Sequence, residues 1–204
     1  SPDCATTDVS ALVRQLMWIA TGWGRDLVVI RADIYRCFDE WEPALVQATL
    51  ERAGLPTWLV RVFVREWTDL VARLRILDAE EGSDFEYQHG AKTGSVEAPR
   101  LLNLIWQVHF SPLVESWERR GLGFKADDGP PLTHAIWADN LWTFAASWGQ
   151  AAMMRGEATE LLVNVLRMRW KVASLEVMGR RGLLAPSVPV GCFVSGRWVA
   201  VSYT

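Results

Sequence analysis

Residues 28–39 read VVIRADIYRCFD. With Leu27 ahead of it, the segment LVVIRAD is a β-branched apolar run that ends on an acid, Asp33. Such a run fits a buried strand. A carboxylate at the edge of a buried strand is costly unless a cation stands near it. A second acid occupies a similar position downstream. Apolar runs at 132–137 and 141–146 flank Ala138-Asp139-Asn140, the pattern of a β-hairpin. Two carboxylates on adjacent strands can hold a divalent ion jointly. Magnesium takes one or two carboxylates together with substrate phosphates, and a pair of such ions supports phosphoryl or nucleotidyl transfer. Aspartate is also common in turns for backbone reasons alone, so spacing by itself leaves both explanations open.

Outward from these acids the chain alternates helices and short strands. Leu12, Leu16, Ile19 and Ala20 place a helix over 10–23. Pro43 suits a first helical turn, and Gly54 suits the cap after Ala53. Pro56 opens a further helix, whose stripe Val60, Phe63, Val64, Trp67 and Val71 reads as core packing. Strand pieces are expected over 72–89, a loop over 90–99, a helix over 100–118 and a turn-rich linker over 121–131. A helix follows over 150–166, a strand or extended segment over 167–178, and a last hairpin over 187–204. This mixture is α+β, an antiparallel sheet with helices against one face. A chain of 204 residues that is half hydrophobic suits a single globular region, 1–204.

Composition narrows the partners. Net charge is −3 and the pI about 5.7, unlike the basic surface with which proteins grip nucleic-acid phosphates on their own. The basic alternation Arg167, Arg169, Lys171 would line one edge of a strand, a solvated face or a phosphate contact. Twelve tryptophans favour large packed contacts, and a protein partner is one surface they could serve. The three cysteines, Cys4, Cys37 and Cys192, form no CxxC pair, which argues against zinc or a disulfide framework and for a reducing, intracellular compartment. No apolar run reaches the length of a membrane span. The first residues carry neither a Met nor a signal pattern, as expected of an interior fragment or a trimmed chain.

The segment VVIRADIYRCFD resembles the first palm motif of reverse transcriptases, an apolar strand followed by D-x-x-x-A-F-D. Residues 42–63, EPALVQATLERAGLPTWLVRVF, resemble the paired helices that follow this motif in enzymes of non-LTR retrotransposons and group II introns. Residues 90–103, GAKTGSVEAPRLLN, resemble G-x-x-Q-G-S-x-x-S-P-x-L-F-N, and residues 136–140, IWADN, resemble the Y-A-D-D hairpin. Residues 166–178, LRMRWKVASLEVM, are similar to the next palm motif, and 193–204 to the start of the primer-grip hairpin. The motifs stand in the family's order and cover nearly the whole chain.

The resemblance implies a reverse-transcriptase-like palm with Asp33 and Asp139 as ligands of catalytic Mg2+. It makes Phe38 the aromatic gate beneath the incoming sugar, Ile34 a backbone contact near the triphosphate, and Gly94 part of the floor under template and base. It implies an RNA or DNA template–primer and a deoxynucleoside triphosphate as partners. The chain also departs from the pattern. Asn140 replaces the second hairpin carboxylate, Thr93 the glutamine, Trp137 the tyrosine and Cys37 the alanine. The lysine of the fourth motif falls on Ala173. Lys171, two residues earlier, would face the same side of an extended strand. Part of the fingers and the thumb are absent from the resemblance. Three functions follow: a retroelement polymerase palm, impaired or inactive as this fragment, a non-catalytic structural subunit derived from one, and an RNA-binding domain of the maturase kind, which would need a basic face that the composition does not show. The lost carboxylate and glutamine favour the second, and the retained aspartates and gate favour the first.

Overall fold

The computed structural model describes residues 6–68, 71–73, 84–86, 90–91, 95–179, 191–194 and 197–200. In chain order these form α1 (Thr6–Gly22), β1 (Val28–Asp33), α2 (Pro43–Arg52), α3 (Thr57–Thr68), β2 (Val71–Arg73), β3 (Asp84–Glu86), α4 (Ala98–Ile105) and α5 (Ser111–Arg119). They continue with β4 (His134–Trp137), β5 (Asn140–Ala145), α6 (Trp148–Glu160), β6 (Glu176–Gly179), β7 (Gly191–Val194) and β8 (Arg197–Ala200). Contacts group the chain into two units, Ser1–Tyr35 with Phe110–Thr204, and Arg36–His109.

The first unit is built on a four-stranded sheet in the order β4-β5-β1-β6, antiparallel throughout. β1 is its centre, and it is apolar at consecutive positions because both of its faces are covered. Val29 points with Trp142 and Phe144 into a cluster closed by Val9, Leu16 and Ala20 of α1. Val28, Ile30 and Ala32 alternate to the other face, are buried, and lie on the side where α6 packs against β1 and β5. Helices thus cover both faces, where the sequence suggested one. Each large apolar side chain buried here contributes about 1.5–3 kcal/mol. α1 reaches only part of its face, and beyond Trp142 that face carries Arg31, Asp33, Asn140 and Glu176. β7 and β8 pair with each other as a hairpin.

In the second unit α2 packs against α3 and α4. α2 ends as the sequence foretold: Gly54 takes φ +81°, its N–H donates to Glu51 and the Leu55 N–H to Leu50, which closes a Schellman cap. On α3, Val60 is buried and Phe63 and Val64 are half-buried. The side chains of Trp67 and Val71 lie outside the description. A π-helical turn, Trp106–Phe110, interrupts the expected helix over 100–118 just before Pro112. Proline lacks the N–H and crowds the carbonyl four residues back, and a widened turn relieves both. Among the described residues no helix is long and apolar enough to cross a membrane.

Candidate metal centre

The register of the sheet decides what meets Asp33. β1 and β5 run antiparallel with Asp33 opposite Asn140 and Arg31 opposite Trp142. On its other side β1 sets Arg31 opposite Glu176. Because side chains alternate across a strand, Arg31, Asp33, Asn140 and Glu176 share one face. Asp139 lies in the two-residue turn between Trp137 and Asn140. Ala138, the first turn residue, has φ +53° and Asp139 does not share it, the pattern of a type II′ hairpin turn. A non-glycine residue there is strained, and such strain collects at functional sites.

Backbone bonds then fix the two acids. The Ile34 N–H donates to the Asp139 carbonyl at 3.0 Å, and the Lys171 N–H to the Asp33 carbonyl at 2.8 Å. The Asp33 N–H donates to Ser174 Oγ at 3.0 Å, and that hydroxyl donates to the Lys171 carbonyl at 2.7 Å. Residues Val172–Ser174 consequently form a 3-10 turn. The period-two relation expected between Lys171 and Ala173 does not hold, because the turn interrupts the strand. Lys171 is exposed, yet its charge acts on Asp33.

The side chains form a connected network. Arg31 Nε and Nη2 both donate to Asn140 Oδ1, at 3.2 and 3.1 Å. Arg31 Nη1 reaches Glu176 Oε2 at 3.5 Å, and Nη2 stands 3.6 Å from Asp33 Oδ1. Asn140 Nδ2 donates to Asp139 Oδ1 at 3.2 Å. The guanidinium also lies 5.7 Å from the Trp142 ring centroid. Burial pushes the Asp33 carboxyl above the ordinary aspartate value and Asp139 adds to the rise, while Arg31, Lys171 and the Ser174 hydroxyl oppose it. Asp33 Oδ1 is buried and accepts no hydrogen bond.

These residues fit one divalent cation. Asp33 Oδ1 is buried without a hydrogen bond and the second carboxylate acts on it, so a divalent cation would find two donors here, with the Arg31 guanidinium already 3.6 Å from that oxygen. Asp33 and Asp139 would hold the ion, and a bound ion would supply Lewis-acid charge to a phosphate oxygen. The fit does not extend to Asn140, whose oxygen is already taken by Arg31. Among the described residues no group of three or more His, Cys, Asp or Glu gathers into a metal site.

Of the other expected site residues, Thr93 and Gly94 lie outside the described residues. Phe38 belongs to the second unit, half-buried, with its ring 5.5 Å from Trp41. Its carbonyl accepts from the Ala91 N–H, and the Trp41 carbonyl from Gly90. Residues 167–171 do alternate, with Arg167, Arg169 and Lys171 exposed and Met168 and Trp170 buried. Arg169 stacks over the Tyr35 ring at 4.3 Å. Sequence reasoning passed over Arg31, Ser174 and Glu176. Arg31 left a signal, a charge inside an apolar strand two residues from Asp33 and so on its face. Ser174 and Glu176 left none, because the 3-10 turn sets where they arrive.

No family model and no curated protein matches the sequence. Solved structures do. Apo telomerase from Candida tropicalis superimposes with a TM-score of 0.65 at 9% identity, over 92% of this chain and 34% of that one. A form of it lacking the C-terminal domain gives 0.61 at 10%, over 96% and 38%. Candida albicans telomerase in complex with a fragment of telomeric RNA gives 0.61 at 10%, over 97% and 33%. The chain spans roughly a third of the length of these telomerases. At such identities the likeness concerns the fold, which is α+β with a reverse-transcriptase-like palm.

Proposed function

We propose that the chain is the palm of an RNA-directed nucleotidyltransferase of the non-LTR retrotransposon or group II intron type. Asp33 and Asp139 bind Mg2+ in this reading, and the partners are a template–primer and a deoxynucleoside triphosphate. The observation that carries it is the junction of the two aspartates: Asp33 at the end of β1, Asp139 in the facing hairpin turn, and the Ile34 N–H on the Asp139 carbonyl at 3.0 Å. The motif order and the telomerase-like fold support the same reading. Asn140 and Thr93 reduce its output, since one removes a carboxylate and the other an amide from the family's pattern.

The test is primer extension by the chain on RNA and DNA templates with Mg2+ or Mn2+. Nucleotide addition is expected, slow, and lower by about a hundredfold or more in Asp33→Ala and Asp139→Ala, the scale on which lost electrostatic stabilisation of a transition state acts. Addition that persists in both variants, or no addition under either metal, sinks the catalytic reading. The second reading is a non-catalytic subunit in a larger protein assembly. Trp18, Trp23 and Trp58 favour it, being 74%, 55% and 67% exposed, since exposed tryptophans are typical anchors of protein interfaces.

A further inference from the structure

We propose that Arg31, held by Asn140, is a built-in cation that stands in for a second divalent ion, so that the centre takes one metal ion and not two. The proposal rests on the reading of Asp33 and Asp139 as cation-binding carboxylates. It goes beyond that reading by giving Asn140 a positive role as a positioning residue.

The amide at 140 uses both of its ends. Its oxygen accepts two N–H groups of Arg31, and its nitrogen donates to Asp139 Oδ1. The partners fix which end is which. A flipped amide would point N–H at a guanidinium, which only donates, and oxygen at a carboxylate, which only accepts. An aspartate could accept from Arg31 but could not donate to Asp139, and the two adjacent carboxylates would repel. Asparagine is thus the residue that joins a cation on one side to an anion on the other.

The guanidinium is held in place by two hydrogen bonds to Asn140 and by the carboxylates of Glu176 and Asp33. It spans Asn140, Glu176 and Asp33 Oδ1 on one sheet face, with the Trp142 ring beside it. Its side chain is 35% exposed and that of Asp33 16%, so solvent and salt screen its field only in part. A second divalent ion beside Asp33 would meet this fixed positive charge and find the Asn140 oxygen occupied.

Titration of the full chain with Mn2+, following free ion by electron paramagnetic resonance, reads the stoichiometry directly. One ion per chain is expected. Asn140→Asp alone should also take one, because Arg31 pairs with the new carboxylate. Asn140→Asp combined with Arg31→Gln should take two, and Arg31→Met replaces Arg31→Gln if that variant does not melt cooperatively. Two ions in the wild type, or in Asn140→Asp alone, overturn this proposal and leave the Asp33–Asp139 reading standing. Fewer than two ions in a folded double variant also overturn this proposal, and no ion in the wild type removes both. A measurement without metal tests the clamp itself. The Arg31 Nε–H signal in nuclear magnetic resonance should exchange at least tenfold faster with solvent in Asn140→Ala, and unchanged exchange overturns the clamp.

Discussion

A buried carboxylate is destabilising unless charge or hydrogen bonds compensate it. Asp33 is compensated unevenly, one oxygen without a hydrogen bond and a guanidinium 3.6 Å away. Arg31 is the largest of the groups that offset the burial of this acid, with Lys171 and the Ser174 hydroxyl behind it. Gly90 shows the same logic in the backbone. It takes φ +86°, and a Cβ there would stand 2.6 Å from the Asp39 carbonyl oxygen. Its N–H meanwhile donates to the Trp41 carbonyl at 2.8 Å. The first residue of the GAKTGS segment is thus locked against the loop that carries Phe38. Gly90→Ala combines left-handed strain with a backbone clash, and should destabilise the chain by about 2–4 kcal/mol. Chemical denaturation of the variant checks this, and a change under 1 kcal/mol contradicts the close approach.

Among the elements, α6 has the most explicit start. Ser147 Oγ accepts from the Gln150 N–H at 3.2 Å, and Gln150 Oε1 accepts from the Ala146 N–H at 3.2 Å. The same Gln150 oxygen receives the Gly123 N–H at 3.4 Å. This reciprocal arrangement is a variant of the capping box. Ser147→Ala should lower stability by about 1 kcal/mol, measured as a shift in the denaturation midpoint at unchanged slope. An unaltered midpoint removes the cap from the account. The elements also show what a sequence can carry. The apolar run at 28–30 and the glycine after α2 were legible because burial on both faces and a left-handed cap each demand particular residue types. The π-helical turn left only Pro112 as a signal, and the 3-10 turn at Val172–Ser174 left none, because its bonds to Asp33 join residues far apart in the chain. The site divides in the same way. Asp33 and Asp139 stood out by position and motif, whereas their tie through Arg31 and Asn140 depended on a register that pairs residues 109 apart.

At the scale of the molecule, two histidines, His109 buried and His134 half-buried, contribute to the response to acid. The His109 Nδ1 faces Arg52 at 3.3 Å, so the ring is neutral with its proton on Nε2, donated to Thr49 Oγ1 at 2.9 Å. Thr49 in turn donates to the Leu45 carbonyl at 2.7 Å. Burial, and then Arg52, lower the His109 pKa. His134 lies edge-on to Phe110 with ring centroids 5.4 Å apart, and burial pushes its pKa down to about 4. In the unfolded chain a histidine takes up its proton near pH 6.5. Between that value and about 4 the unfolded state therefore binds more protons than the folded one, and stability falls as the pH falls. For His134 the loss from pH 7 to pH 4 amounts to about 3 kcal/mol, from 1.36 kcal/mol per pKa unit. Asp33 works in the opposite sense, because its raised carboxyl pKa lets the folded state take up a proton first. A difference between variants separates the two. His134→Gln carries no titrating group, so its unfolding free energy should change less than the wild type's between pH 7 and pH 4.5, with the gap opening below pH 6.5. Parallel curves for the two proteins over that window would mean that His134 titrates as it does in water, and that the ring against Phe110 is not shielded.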